Sequence, residues 1–464
     1  MSPSPTEAHR ITTLDCGVRV VSERMPAVRS VALGFWIGAG SAHEHDAQAG
    51  ISHLLEHMLF RGSSRYGSEE IDQIFDAMGA ELNAGTDKEA TSVYTRVLDV
   101  HLERAFDVIA DMVWRPRMGE LEAEREVVLE EIAMYEDDPQ DRVFDVLGEA
   151  VFGEHPLGRA VIGRAEVVGA LTRAHLSAFH AERYAPPDVV ISATGSVDHD
   201  ALVELARAAC PPASALGAVA GSGTGPAGVP DGERARVVDA ANGTNLLPGT
   251  DELWHSEPAF ERRVRFLRKE TEQYHLCLGG RGMALRDERR FALRVLDNVL
   301  GGGASSRLFQ EIRERRGLAY SVFSFSNMYA STGEVGLYVG TRPENLAEAV
   351  ATIAAELERF VEDPADAQEL ERSRENAKGR LVLSLESTAA RMNRLGGAVL
   401  NDLPILPVEE IMERVDAVSI EDLRELAGEL FRGSELSVAA IGPDEQVLRA
   451  ALRPLELEPT HPTA

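Results

Sequence analysis

The sequence predicts an α+β fold of two homologous domains, each a mostly antiparallel sheet with helices packed on one side. Three observations lead there. Strand-like and helix-like apolar patterns are mixed along the chain, two distant stretches repeat one order of elements, and a Gly/Pro/Ala-rich segment separates them. Arg19-Val20-Val21-Ser22 and Val31-Ala32-Leu33-Gly34-Phe35-Trp36-Ile37 signal early strands, and Gly336-Leu337-Tyr338-Val339-Gly340 a later one. Leu102 to Trp114 and Asn345 to Val361 carry the spacing of amphipathic helices. Val168 to Ala209 reads helix, strand, Gly195, helix, and Val415 to Leu452 reads the same way, with Thr172 answering Ser419 and Ile191 to Gly195 answering Val438 to Gly442. Internal duplication is the economical account. It sets the expected boundaries at an N-terminal domain over 1–211, a linker with an insertion over 212–258 and a C-terminal domain over 259–464.

Composition narrows the function. The chain is 44% apolar and 27% charged, with no apolar run long enough to span a bilayer and no apolar core in Met1 to Arg10, so the expectation is a cytoplasmic protein with no membrane partner. The three cysteines, Cys16, Cys210 and Cys277, are widely spaced and odd in number, which predicts reduced, mostly buried thiols. A net charge of −29 argues against nucleic acid, whose phosphates it would repel. An acidic inner wall would instead attract basic peptides.

Chemistry concentrates in His53-Leu54-Leu55-Glu56-His57. Two histidines four residues apart stand one turn apart on one helical face, where two neutral imidazoles can share a Zn²⁺ while Glu56 stands beside them. The pattern reverses the H-E-x-x-H zinc helix. Leu54, Leu55, Met58, Leu59 and Phe60 make the helix apolar and buried, so its polar residues need partners, and a metal supplies one.

A third ligand is sought in the acidic stretch Gly119 to Asp138. On a helical period Leu121, Glu124, Val128, Glu131, Ile132 and Tyr135 share one face, whereas Glu122, Glu126 and Glu130 look outward. Glu131 as a ligand, with Glu124 behind it supporting the site, satisfies two inward carboxylates. The second copy lacks this set. Val295 to Leu300 replaces the histidine helix, and aligning Glu124-Arg125 with Glu371-Arg372 places Lys378 opposite Glu131, so the second half is expected to be metal-free.

With these residues the chain resembles the pitrilysin-type (inverzincin) zinc peptidases, which include insulysin and the mitochondrial processing peptidases. Met78 to Ala84 and Glu89 to Tyr94 resemble the family's substrate-binding edge strand. Gly301 to Phe309 and Arg313 to Tyr320 are similar to second-half motifs of its bacterial processing-peptidase-like branch. The resemblance implies a zinc-dependent endopeptidase acting on peptides or extended segments, with one Zn²⁺ per chain on His53, His57 and Glu131 and with Glu56 as general base. It implies that Asn83 and Ala84 pair with the substrate backbone, and that Arg313 and Tyr320 contact substrate and help stabilise the oxyanion. Gly301, Gly302 and Gly303 read as a substrate-contacting loop, with a plain turn between helices as the other reading. Single-chain relatives close four such domains into a chamber, so two domains imply a homodimer, or a heterodimer with a metal-free homologue. The rival reading is a non-catalytic subunit of such an assembly.

Overall fold

Strand Ser30–Ile37 is buried along nearly its whole length, with Val31, Leu33, Phe35 and Ile37 on one face and Ala32, Gly34 and Trp36 on the other. A strand apolar on both faces belongs inside a sheet that is covered on both sides. The computed structural model, which describes residues 9–211 and 256–455, builds two such sheets. The expected linker at 212–258 lies outside the described residues apart from 256–258.

The first sheet contains β1 (Arg10–Thr13), β2 (Arg19–Arg24), β3 (Ser30–Ile37), β4 (Leu82–Thr86), β5 (Thr91–Leu98) and β6 (Val189–Gly195), in the order β1-β2-β6-β3-β5-β4. The second contains β7 (Val264–Arg268), β8 (Tyr274–Arg281), β9 (Ala319–Met328), β10 (Gly333–Thr341) and β11 (Ser437–Gly442), in the order β7-β11-β8-β10-β9. Apart from β1 the two orders are the same. In each, one pair is parallel, β2 with β6 and β11 with β7, and the rest are antiparallel. Edge strand β4 therefore corresponds to edge strand β9.

The helices repeat in step. The first half has α1 (Ile51–Leu59), α2 (Ser68–Met78), α3 (Leu102–Trp114), α4 (Leu121–Asp137), α5 (Pro139–Phe152), α6 (Ala165–Ala170), α7 (Arg173–Arg183) and α8 (His199–Ala209). The second has α9 (Arg290–Leu300), α10 (Leu346–Glu362), α11 (Ala367–Ser384), α12 (Thr388–Leu400), α13 (Val408–Ala417), α14 (Ile420–Leu430) and α15 (Glu445–Ala451). Thr172 and Ser419 are equivalent N-caps, each accepting from the backbone N–H three residues on, at 3.3 and 3.1 Å. Each half buries its own apolar core between sheet and helices, as expected.

The other face of each sheet is covered by a helix from the opposite half. Helix α5 lays Val143, Leu147, Val151 and Phe152 on Cys277, Tyr338, Ala439 and Ile441 of the second sheet. Helix α12 lays Leu395 and Val399 on Val21 and Val190 of the first. Two glycines, one in each sheet, make room: a Cβ on Gly34 would lie 2.5 Å from Met392 Sδ, and one on Gly279 would lie 2.9 Å from a Leu147 methyl. Their cross-strand neighbours, Ser192 and Ser437, donate to carbonyls of the arriving helices, at 2.9 Å to Met392 O and 3.3 Å to Ala150 O.

One expectation is corrected. Cys16, in the turn after β1, and Cys210, at the end of α8, form a disulfide across 194 residues, so only Cys277 is a buried free thiol. The fold returns α8 against β2, which spacing along the chain cannot reveal, and cysteine usage no longer argues for a reducing compartment. Tyr135 also departs from the inward face assigned to it, being 37% exposed in the last turn of α4. Among the described residues no helix is long and apolar enough to cross a membrane.

Because each half lends the other a helix, they should lose structure together. Gly34→Val or Gly279→Val should cost about 1–3 kcal/mol by overpacking and lower Tm in one transition, followed by calorimetry and by tryptophan fluorescence of the first half. Two separated transitions would show that the exchanged helices do not couple the halves.

Candidate metal centre

Helix α1 begins at Gly50, whose φ of +97° and contact with Ile162 O exclude a side chain. The Glu44 carboxylate accepts from the N–H groups of Gly50 and Ser52, both at 2.8 Å, and so caps the first turn from within the core. Burial pushes that carboxyl up to about 7, against the pull of those two bonds. Leu54, Leu55, Met58 and Leu59 bury the inner face of α1. His53 and His57 thereby turn toward α4, their rings 4.7 Å apart.

Helix α4 is set by Leu121, Val128 and Ile132, which are buried, while Glu122, Glu126 and Glu130 are exposed as the spacing requires. The same face presents Glu124 and Glu131 to α1. The Nε2 atoms of His53 and His57 lie 3.7 and 3.4 Å from Glu131 Oε2. The three ligand atoms fall within 4.8 Å of one another. Glu124, almost fully buried, accepts from His57 Nδ1 at 2.8 Å, and its other oxygen is paired with Arg61 Nε. A carboxylate holding Nδ1–H leaves Nε2 as the lone-pair donor. Burial, with His57 adding to it, pushes His53 down to about 4, so its ring is neutral at neutral pH. Two imidazoles and a half-exposed carboxylate that converge in this way fit a zinc ion.

Glu56 stands beside the group on the side of β4. Burial raises its pKa, while a 2.6 Å hydrogen bond from Thr86 Oγ1 lowers it. Asn83 and Ala84 lie on β4, which pairs only with β5 and packs on α1, so its outer edge is free among the described residues. These expected residues come together.

Arg313 and Tyr320 do not join them within the chain. They form their own cluster at the start of edge strand β9, where the Arg313 guanidinium lies 4.7 and 4.5 Å from the rings of Phe309 and Tyr320 and donates to Tyr320 O at 3.2 Å. Residues 309–315 form a π-helix, and the β9–β10 register slips at Gly340/Thr341, leaving Tyr320 78% exposed. A cavity of about 350 Å³ opens there, lined in part by Gln273, Arg313, Tyr320, Arg342 and Asn345. Gly301 and Gly302 pack on Ser324 and Asn298, and Gly303 is open; none of the three reaches the metal group. Lys378, equivalent to Glu131, is paired with Glu375 and Asp416 at 2.5 and 2.6 Å.

Three residues of the centre escape a reading of the sequence. Arg61 has a faint signal, one turn beyond His57 and facing an inward glutamate. Thr86 shares one face of β4 with Leu82 and Ala84, and Glu44 has no signal in its own neighbourhood. The roles of Glu124 and of the ligands are testable. His57→Ala and Glu131→Ala should lose the zinc that the parent holds at about one per chain, measured by metal analysis after dialysis. Glu124→Ala should keep the fold and weaken zinc affinity about 10–100-fold, and parental affinity would show that His57 is oriented by something else.

The chain matches two family models, "Insulinase (Peptidase family M16)" over residues 19–165 and "Peptidase M16 inactive domain" over residues 170–377. Proteins named uncharacterized zinc proteases are similar to it along nearly their whole length. That of Mycobacterium tuberculosis is 39% identical, covering 95% of this chain and 94% of that one. That of Bacillus subtilis is 39% identical, covering 93% and 97%. Two solved structures share the fold: a peptidase M16 inactive domain from Pseudomonas fluorescens (TM-score 0.80, 22% identity, 94% of this chain and 98% of that one) and a protease from Helicobacter pylori (TM-score 0.78, 20% identity, 94% and 99%). With family models spanning most of its length and relatives this close over nearly all of it, the chain belongs to peptidase family M16, the insulinase family.

Proposed function

We propose that this chain is a zinc-dependent endopeptidase that cleaves peptides or extended polypeptide segments. The observation that carries the reading is the convergence of His53, His57 and Glu131 beside a free strand edge, with Glu56 between the two. His53, His57 and Glu131 would hold zinc there, and it would supply a Lewis acid that acidifies water. The chain's own residues do the rest. An extended peptide adds to the outer edge of β4 through backbone hydrogen bonds, which give affinity with little sequence demand. Glu56 takes a proton from the attacking water and later delivers it to the leaving amine nitrogen.

Expressed alone, the parent should cleave peptides in a chelator-sensitive way, and Glu56→Gln should keep metal while turnover falls ~10²–10⁴-fold. A Glu56→Gln protein as active as the parent would sink the mechanism, and an inactive, zinc-loaded parent would favour the non-catalytic subunit. The net charge of −29 supports a preference for basic segments. In the same assay a Lys/Arg-rich peptide should then lose more kcat/KM to added salt than a neutral one of equal length.

The separate Arg313/Tyr320 cluster supports a site completed by a second copy of the chain. In a C₂ homodimer the pair from one subunit would face the zinc of the other, twice by symmetry. Mixing His57→Ala with Arg313→Ala/Tyr320→Phe, each inactive alone, should restore activity once subunits exchange. Demonstrated exchange with no recovery would mean that the pair acts within its own chain or not at all; a heterodimer with a metal-free homologue would show as an inactive pure chain rescued by that partner.

A further inference from the structure

We propose that Thr86 is a positioning residue that couples occupation of the β4 edge to the alignment of Glu56. The inference rests on the peptidase reading and adds a residue to it. Thr86 closes β4, the strand offered to substrate, and its hydroxyl donates to Glu56 Oε2 at 2.6 Å. Among the described residues no other residue's side chain is hydrogen-bonded to Glu56, and the Thr86 backbone N–H also acts on its carboxylate, so Thr86 alone holds it in place.

The strand is built for this contact. Leu82, Ala84 and Thr86 are half-buried on the face that packs on α1, whereas Asn83 and Gly85 are exposed. Thr86 pairs with Thr91, whose own hydroxyl is buried against Ala39 O at 2.8 Å. Beyond Thr86 the turn is pinned. Asp87 O and Lys88 O accept from the N–H groups of Ser41 and Ala42 at 3.1 and 2.8 Å, and the Glu89 carboxylate accepts from Ala330 N in the second half at 2.8 Å. The hydroxyl thus sits on a strand fixed at its far end and open along its outer edge. A peptide pairing along Asn83 and Ala84 adds a second set of hydrogen bonds to that strand, and its ordering reaches Glu56 through Thr86, whose hydroxyl fixes Oε2. Binding energy gained away from the scissile bond then appears in kcat, because it aligns the base for the transition state.

The test compares Thr86→Val, nearly isosteric and β-branched, with Thr86→Ser, using a short peptide and one extended along the strand. Thr86→Val should keep the parent's zinc content and Tm and bind an uncleaved peptide, as metal-free protein, within about twofold of the parent. Its kcat should fall ~10²-fold, the cost of a misplaced catalytic group, and Thr86→Ser should recover most of it. In the parent, extending the peptide should raise kcat; in Thr86→Val the same extension should lower KM alone. Parental kcat in Thr86→Val, a Ser variant no better than Val, or a loss confined to binding would overturn the proposal while the parent remains active. A parent that cleaves no better than Glu56→Gln overturns the peptidase reading and this proposal with it.

Discussion

The constraint on which the molecule depends is that both sheets are apolar on both faces, so neither half can cover itself. Helices α5 and α12 are exchanged for that reason, admitted by Gly34 and Gly279 and bonded by Ser192 and Ser437. The exchange reaches the metal group directly. Helix α4 is seated on the first core by Leu121, Val128 and Ile132, and it runs into α5 at Asp138-Pro139, where Asp138 caps the new helix. Lys269 of the second half donates to Glu136 O and Asp137 at the end of α4, at 2.8 and 3.0 Å. The helix that carries Glu131 is therefore held by both halves, and the distance from Glu131 to α1 is a property of the whole chain.

Acidic groups are sorted by the same architecture. The net charge is −29, yet several carboxylates are withdrawn from solvent to hold elements together, among them Glu124, Glu44, Glu89 and Glu334. Glu124 is shared between His57 and Arg61, and Glu44 caps α1. Glu89 and Glu334 sit where the β4–β5 and β9–β10 hairpins meet, and burial pushes each up to about 7. Lys88, in the same hairpin turn, is the cation that offsets the charge of Glu334. The edge strand next to Glu56 is thus anchored through a buried, charged seam between the halves, where a carboxylate without a partner would be costly.

Duplication explains the asymmetry of the chemistry. The two halves keep one strand order and one helix order, yet α9 stands where α1 carries its histidines, and Lys378 is tied to Glu375 and Asp416 where Glu131 faces the imidazoles. What the second half presents at its own equivalent edge, β9, is an arginine stacked on two aromatic rings beside a cavity. One scaffold presents a His-His-Glu group fit for a metal in one copy and a cationic face in the other.

The sequence by itself determined what local periodicity encodes. A helical repeat put His53 and His57 on one face and turned Glu124 and Glu131 inward while Glu122, Glu126 and Glu130 stayed in solvent, and the repeated helix–strand–glycine–helix order exposed the duplication. Side-chain direction along a single element follows from its own spacing, so these readings needed no partner. Tertiary structure alone decided which elements meet. The Cys16–Cys210 disulfide, the Arg61 contact to Glu124, the Thr86 contact to Glu56 and the exchange of α5 and α12 each join residues far apart in the chain, and apart from the faint signal at Arg61 nothing in the neighbourhood of either residue marks the other. The separation of Arg313 and Tyr320 from the metal group is of the same kind. Motif spacing identifies such residues, but their separation from the His-His-Glu group is set by how two sheets pack.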